Sequence, residues 1–334
     1  MFFCTLFDSN YASKGIALYL SLERQTSDFE LFVMGLDRKC QEVLTSCGFK
    51  HLVVECIDDI MTPELERAKG NRSRAEYCWT CGPFITDYFL TKYSLPEIAY
   101  IDSDLMFFSS PQVIYDELAK KDASIGLAPH FTKYPLFGTY CVQFVYFKND
   151  KDGKGCLRWW RDQCLEWCYC KMEDGKYADQ KYLDYFADHF DNVAVIENRG
   201  VGIANWNVDY YHISDNKVRY KDKTWPVVFF HYSGFSTKIH QGVLSLRHTM
   251  YLTKNIRKDI VQPYAELLKE VYSCYLSTPI VSLTIEPVSC VKNFIKGIIH
   301  HTRKIIPFDW LISLVLRIKY RKKRVPYNEP LNNS

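Results

Sequence analysis

Several features that mark common protein classes are missing from this sequence of 334 residues. No run of apolar residues is long enough to cross a bilayer. The first residues lack the basic region and the small-residue cleavage site of a signal peptide, so we expect no export by that route. The motifs of P-loop kinases, dinucleotide-binding dehydrogenases, zinc proteases and serine hydrolases are also absent. These absences disfavour those classes and favour a cytoplasmic protein.

The 13 cysteines do not form a regular framework. Cys78 and Cys81 form a single CxxC pair, whereas structural zinc sites usually need two such pairs at matched spacing. Scattered cysteines in odd number are typical of a reducing compartment, in which cysteine serves as a small buried hydrophobic residue. We therefore expect free thiols and no structural zinc site.

Positive charge is concentrated at the C-terminal end, although the formal net charge of the chain is only +3. Residues 287–334 carry ten lysines and arginines against Asp309 and Glu329, and two short apolar segments around Phe294 and Trp310 lie among them. Such basic amphipathic segments are typical of proteins that bind an anionic membrane surface. A helical subdomain docked on the core is the alternative. We expect no nucleic-acid partner, because the basic residues are not spread over a folded face with stacking aromatics.

Strand-like and helix-like segments alternate in the first part of the chain. Apolar strands are predicted at 2–6, 29–34, 51–56 and 98–101, and helices at 16–22, 37–47 and 75–93 lie between them. Alternation over short loops predicts an α/β fold, in which a parallel sheet is covered by helices on both faces.

Two carboxylates follow the predicted strand at 98–101. Asp102 and Asp104 are separated by Ser103 and are followed by an apolar run at 105–108. Ligands of open α/β sheets gather at the carboxyl ends of strands. Two carboxylates at this spacing can bind one divalent cation, which can bridge phosphate oxygens. An Asp-x-Asp triplet can also be a solvated turn, but the apolar runs on both sides favour a metal site.

A second apolar strand, at 226–230, ends at His231. This histidine could complete the ligands of the metal, Gly234 could let the backbone approach a phosphate, and Lys238 could neutralise a diphosphate. Burial as a hydrogen-bonded core histidine is the alternative for His231, and the acidic pair in the same chain disfavours it.

Asp179 and Gln180 lie at the start of a predicted helix at 177–183 and could face a cleft. The alternative is that the carboxylate interacts only with the helix dipole.

These three elements and the first strand and loop, with Thr5, Leu6 and Tyr11, resemble glycosyltransferases of the GT-A fold in their order and approximate spacing. The closest resemblance is to family 8, which includes glycogenin and bacterial lipopolysaccharide galactosyltransferases and glucosyltransferases. It covers about residues 3–240. It implies a Rossmann-like mixed sheet in a catalytic domain at 1–245, with a nucleotide-binding part at about 1–110 and an acceptor part at about 111–245. A basic helical extension at 246–334 would follow, and its tail would associate with the membrane.

The resemblance also implies roles for individual residues. The nucleotide sugar would be bound by Thr5, Leu6, Tyr11, Asp102, Ser103, Asp104, Gly234 and Lys238. The metal, Mn²⁺ or Mg²⁺, would be held by Asp102, Asp104 and His231. Asp179 and Gln180 would be catalytic residues beside the donor sugar. Asn205, Trp206 and Asn207 would lie in the acceptor cleft, for which a turn anchored by the tryptophan is the alternative.

Two segments depart from the family pattern. Cys141 and Gln143 stand where an asparagine and a glycine near the sugar are expected. The helix before the acidic pair lacks a clear basic residue, and Arg72 and Arg74 are the nearest candidates.

The function implied by the resemblance is metal-dependent transfer of a sugar from a nucleotide-diphosphate sugar, a UDP-sugar, to a glycan or glycolipid. Family 8 membership implies a hexosyltransferase that retains configuration, acting in cell-surface polysaccharide or lipopolysaccharide synthesis at the inner face of the membrane. One alternative is a nucleotidyltransferase, which would normally have a Gly-rich basic loop after its first strand; residues 8–11 do not form one. The other is an inactive sugar-binding scaffold, which the intact Asp102, Asp104 and His231 disfavour.

Overall fold

The computed structural model describes residues 1–132, 137–250 and 252–287. The predicted basic tail at 288–334 lies outside the described residues. The strands are β1 (Phe2–Phe7), β2 (Glu30–Gly35), β3 (Leu52–Cys56), β4 (Glu97–Ile101), β5 (Leu105–Phe107), β6 (Ile125–Pro129), β7 (Tyr140–Lys148), β8 (Val193–Val195), β9 (Ile203–Ala204), β10 (His212–Ser214), β11 (Lys217–Tyr220), β12 (Lys223–Pro226), β13 (Phe229–His231), β14 (Ser236–His240), β15 (Val243–His248) and β16 (Ser282–Pro287).

The helices alternate with the strands in the first half of the described chain. They are α1 (Ala12–Glu23), α2 (Arg38–Ser46), α3 (Pro63–Asn71), α4 (Arg74–Lys92), α5 (Gln112–Lys120), α6 (Lys151–Glu166), α7 (Phe186–His189), α8 (Lys254–Ile256) and α9 (Gln262–Glu270). Their starts follow local sequence signals. Asp37 and Asp150 cap α2 and α6, and Ser73 forms a capping box with Glu76 at the start of α4.

Seven strands form the central mixed sheet in the order β3-β2-β1-β4-β7-β6-β8. The strands β1 to β4 run parallel, whereas β7 is antiparallel to both β4 and β6. The order reverses between β1 and β4, and such a switch point is where ligands of open α/β sheets bind. The predicted mixed α/β sheet is confirmed.

Apolar side chains cover both faces of this sheet. In β1, Phe3 and Phe7 face one side and Cys4 and Leu6 the other, because side chains alternate along a strand. The first side packs against α1, α2, α5 and α9, and the second against α3, α4 and α6. The helices on both faces therefore hold the ends of β1 and β4 in fixed positions.

A small sheet joins distant parts of the chain next to the end of β4. The strand β13 lies between β5, to which it is antiparallel, and β9, to which it is parallel. His231 is the last residue of β13 and pairs with Leu105, one residue after Asp104. This pairing brings the predicted third metal ligand to the acidic pair.

The boundary predicted at residues 245 and 246 falls inside a strand. β15 pairs with β14 on one side and with β16 on the other, and Leu244 and Leu246 share one apolar cluster with Tyr264 of α9. The described part of the C-terminal extension is thus continuous with the core formed by the preceding residues and contains a strand as well as helices. The sequence did not indicate this, because β15 and β16 are separated by more than thirty residues.

The cysteines among the described residues are free thiols, as expected. In the same part of the chain, no helix combines the length and the apolar character that crossing a bilayer requires.

Candidate metal centre and adjoining cavity

Asp102, Asp104 and His231 converge at the carboxyl end of β4. Their ligand atoms all lie within 4.8 Å of one another. Nε2 of His231 lies 3.0 Å from Oδ1 of Asp104 and 3.6 Å from Oδ2 of Asp102. Two carboxylates and one imidazole form a donor set of oxygen and nitrogen that suits a divalent cation such as Mn²⁺ or Mg²⁺. The three residues therefore fit the metal that the sequence predicts.

Two further side chains contact the carboxylates. The Tyr100 hydroxyl donates to Oδ1 of Asp102 over 3.4 Å. Nζ of Lys14 donates to Oδ2 of Asp104 over 3.4 Å and lies 4.2 Å from the centre of the Tyr11 ring. Lys14 is only 8% exposed, so its charge is held beside the acidic pair.

The two carboxylates titrate differently. Burial and the negative charge of Asp104 raise the pKa of Asp102 to about 6, although His231 opposes this shift. Burial also disfavours ionisation of Asp104, but the charges and hydrogen bonds of His231 and Lys14 outweigh it and hold the pKa of Asp104 below its ordinary value. Burial lowers the pKa of His231, and attraction to Asp104 more than offsets this, so its pKa lies above the ordinary value. The lowered pKa of Asp104 and the raised pKa of His231 indicate that this site favours positive charge beside its carboxylates.

A cavity of about 770 Å³ opens beside these three residues. Its size falls within the range of pockets that hold small-molecule ligands. Of the predicted site residues, the ones that line it are Leu6, Tyr11, Asp102, Ser103, Asp104, Asp179, Gln180, Trp206 and His231. The structure thus gathers residues from five separate segments of the chain around one space.

Asp179 is 3% exposed and lies just before the 3₁₀ helix Gln180–Tyr185. The indole nitrogen of the buried Trp160 donates to the backbone oxygen of Asp179 over 2.9 Å and fixes this turn. Burial and the charge of Asp102 raise the pKa of Asp179 to about 8. The amide of Gln180 donates to the backbone oxygen of Phe137 over 3.1 Å, at another wall of the cavity.

Five predicted site residues do not line the cavity. Lys238 is exposed on β14, where it pairs with Ser245. Thr5 is buried within β1, and Gly234 adopts a positive φ of 79° beyond the cavity wall. Asn205 donates to the backbone oxygen of Ser233. Asn207 donates to the backbone oxygens of His130 and Gly202, so its amide holds loops together.

Sequence reasoning missed several residues that line the cavity. Asp8 accepts hydrogen bonds from the backbone amides of Asn10 and Tyr11 and pairs with Arg74. Of the two arginines considered, Arg74 lines the cavity. Arg72 instead donates to Thr80 and to the backbone oxygens of Cys164 and Leu165. A polar residue directly after a buried strand was the available signal for Asp8.

His130 also lines the cavity and follows β6 at the same edge of the sheet. Burial lowers the pKa of His130 to about 4, so its ring is neutral near pH 7. Trp206 lies edge-on between the His130 and His231 rings, with ring centres 5.5 and 5.2 Å apart. The three rings form an aromatic wall next to the carboxylates.

The fold and this site define the chain as a protein of the GT-A fold. Its structure is similar to that of the galactosyltransferase LgtC, crystallised in complex with donor and acceptor sugar analogues. The TM-score is 0.52 at 14% identity, over 80% of this chain and 95% of LgtC. The predicted GT-A fold is therefore confirmed.

Two proteins of Bacillus subtilis (strain 168) are similar in sequence. The uncharacterized protein YfnF is 30% identical over 273 residues, which are 77% of this chain and 87% of YfnF. The uncharacterized protein YfnD is 32% identical over 244 residues, 70% of this chain and 78% of YfnD. The chain belongs to the family of these two proteins. No family model matches it.

Proposed function

We propose that this protein is a divalent-metal-dependent glycosyltransferase that takes a sugar from a nucleotide-diphosphate donor, a UDP-sugar. The observation that carries the proposal is the convergence of Asp102, Asp104 and His231 at the sheet's switch point, beside a cavity large enough for such a donor. A bound Mn²⁺ or Mg²⁺ would supply electrostatic stabilisation of the negative charge that develops on the leaving diphosphate.

Charged residues of the chain support this assignment of the donor. The ammonium group of Lys14, nearly buried beside Asp104, adds positive charge on the side where a diphosphate would lie. Leu6, Asp8, Tyr11 and Arg74 line the same cavity, and we place the nucleoside beside them.

Asp179 and Gln180 are the catalytic residues in this proposal. Both line the cavity, and Asp179 is held in place through its backbone by Trp160. With its raised pKa, the carboxyl of Asp179 is largely protonated near pH 7 in the metal-free chain and can donate a hydrogen bond to a sugar hydroxyl. We propose no protein nucleophile. For a hexosyltransferase that retains configuration, an oxygen of the leaving phosphate can accept the acceptor's proton.

The acceptor in this proposal is a glycan or glycolipid of the cell surface. LgtC was crystallised with donor and acceptor sugar analogues, and we extend both kinds of partner to this chain. Trp206 gives the acceptor side of the cavity an aromatic surface on which a sugar can stack. The ten basic residues in 287–334 support attraction to an anionic membrane at the cytoplasmic face, where such acceptors would be met.

Release of UDP from a panel of UDP-sugars in the presence of Mn²⁺ tests the proposal. We expect slow, EDTA-sensitive hydrolysis of one or more donors, reduced about 100-fold or more by Asp104→Asn, since a charge-stabilising group is removed. Asp28→Asn is the matched control, because Asp28 is an exposed carboxylate two residues before β2, at the opposite end of the strands. Undiminished hydrolysis by Asp104→Asn contradicts the metal role. Synthesis of UDP-sugar from UTP and a sugar 1-phosphate would instead support a nucleotidyltransferase.

A further inference from the structure

Gln143 occupies an irregular part of β7 directly behind the metal centre. Pairing with β6 jumps from Val145 opposite Leu127 to Cys141 opposite Ala128, which leaves a bulge around Gln143. Bulges next to functional sites commonly re-aim a side chain. Gln143 is fully buried, and its side chain does not line the cavity. It therefore contacts the site from inside the protein and leaves the ligand face clear.

The backbone and the side chain of Gln143 each form a hydrogen bond with a different predicted metal ligand. The backbone oxygen of Gln143 accepts the backbone N–H of Asp102 over 3.3 Å. The side-chain oxygen Oε1 lies 3.0 Å from Nδ1 of His231. One residue thus joins the carboxylate that follows β4 to the imidazole that ends β13.

The hydrogen bond to His231 determines which ring nitrogen can bind a cation. An amide oxygen only accepts, so Nδ1 must carry a proton when it bonds to Oε1. Nε2 is the nitrogen that faces the two carboxylates, at 3.0 and 3.6 Å from their oxygens. Ligand histidines usually donate their second N–H in this way, which orients the ring and increases its basicity.

The nitrogen of the same side-chain amide, Nε2, indicates that Gln143 is not needed for the stability of the fold. Nε2 of Gln143 is buried and has no hydrogen-bond partner among the described residues. A buried amide nitrogen without a hydrogen-bond partner destabilises a fold. Gly202 leaves the space that the amide needs, because a Cβ there would lie 2.5 Å from Nε2.

We propose that Gln143 is a positioning residue that orients His231 for cation binding. The proposal rests on the metal role assigned above. This role explains why a glutamine stands where the family pattern predicts a glycine. A glycine has no side chain that could accept the hydrogen bond from Nδ1–H of His231.

Three variants separate this role from a structural one. Gln143→Met keeps the shape of the side chain but removes the acceptor, and Gln143→Glu keeps an acceptor oxygen. Val145→Ala is the control, because Val145 is buried in the same strand and pairs there with Tyr100 and Leu127, neither of which is a predicted metal ligand. Mn²⁺ affinity is measured by calorimetry in the presence of UDP, and melting temperature is measured in EDTA.

We expect Gln143→Met to weaken Mn²⁺ binding about 10- to 100-fold with little change in the melting temperature, because the unpaired Nδ1–H that it leaves on His231 offsets the unpaired Nε2 that it removes. Gln143→Glu should stay within about tenfold of the wild type in affinity, since it retains an acceptor for Nδ1–H. Val145→Ala should lower the melting temperature and leave the affinity unchanged. If Gln143→Met binds Mn²⁺ as tightly as the wild type does, the inference about Gln143 is overturned, but the proposed function is not. Absence of Mn²⁺ binding in the wild-type protein overturns the proposed function together with it.

A second measurement needs no variant in the bulge. Long-range ¹H–¹⁵N spectra of the wild-type protein with UDP and Mg²⁺ report the tautomer of His231, assigned by comparison with His231→Gln. The proton is expected on Nδ1. A proton on Nε2 would contradict the proposal even if the Gln143 variants did not fold.

Discussion

At the residue scale, the site is a balance of buried charges. Asp102, Asp104 and Asp179 bring acidic groups to one cavity, and Lys14 and His231 are the basic groups beside the first two. Neighbouring carboxylates raise one another's pKa, and a positive charge between them relieves the repulsion. Burial raises the pKa of all three carboxyls and prevails at Asp102 and Asp179, whereas the charges and hydrogen bonds of His231 and Lys14 outweigh it at Asp104 and lower its pKa.

Asp179 gives a test of this balance through the pH dependence of stability. An unfolded Asp loses its proton near pH 3.8, whereas Asp179 in the fold holds it until about pH 8. The folded state therefore binds the extra proton between these values, and its stability decreases as the pH rises through that window. Asn cannot ionise, so Asp179→Asn removes this contribution.

In EDTA, we expect Asp179→Asn to be more stable than the wild type by about 1 kcal/mol or more at pH 8, and the difference to shrink towards pH 4. Urea unfolding at a series of pH values measures it. A difference that stays constant over this range would show that the carboxyl does not titrate as described.

How far the sequence predicted the site depends on which signal each residue carried. Asp102 directly follows an apolar strand, Asp104 directly precedes one and His231 ends one, so the pattern predicted their position at a sheet edge. Lys14 carried no such signal, because it lies within α1 and its hydrogen-bond partner, Asp104, is 90 residues away in the sequence. Lys238 was expected at the diphosphate, but strand alternation turns its side chain to the exposed face of β14.

At the scale of elements, the contact between β1 and α1 shapes the cavity. Gly15 of α1 packs directly over the ring of Phe7, and Phe7 lines the cavity. A Cβ at Gly15 would lie 2.0 Å from the Phe7 ring, so the close approach of helix and strand requires a glycine.

We expect Gly15→Ala to destabilise the protein by about 1–3 kcal/mol through overpacking and to weaken UDP binding, because the Phe7 ring must move. Gly155→Ala is the matched control, since Gly155 also lies in a helix, α6, and a Cβ there meets open space. The control should stabilise the fold by about 0.5–1 kcal/mol. Chemical denaturation and calorimetry measure both. Equal effects of the two substitutions would contradict the packing described at Gly15.

The elements themselves were predictable to different degrees. The periodic pattern up to β4 predicted β1 to β4 and the helices α1, α2 and α4 within a few residues, because each is a contiguous apolar segment, but it did not predict α3. The pairing of β13 with β5 and β9, and of β15 with β16, joins segments far apart in the chain. Such pairing depends on the tertiary fold and has no local signature, which is why the extension at 246–334 was expected to be helical only.

At the scale of the whole molecule, the site lies at the switch point of the seven-stranded sheet. Helices cover both faces, and the cavity lies at the edge where β1, β4 and β6 end. This arrangement, shared with LgtC as a fold, leaves the chemistry to side chains at the strand ends. The central claim is therefore that Asp102, Asp104 and His231 bind a cation together with a nucleotide diphosphate.

Calorimetric titration of UDP into the protein, with Mn²⁺ or with EDTA, tests that claim most directly. The account predicts UDP binding that requires Mn²⁺, is lost in Asp104→Ala and is retained in Asp28→Ala. Binding of UDP that is equal in Mn²⁺ and EDTA, or that survives Asp104→Ala unchanged, would contradict it.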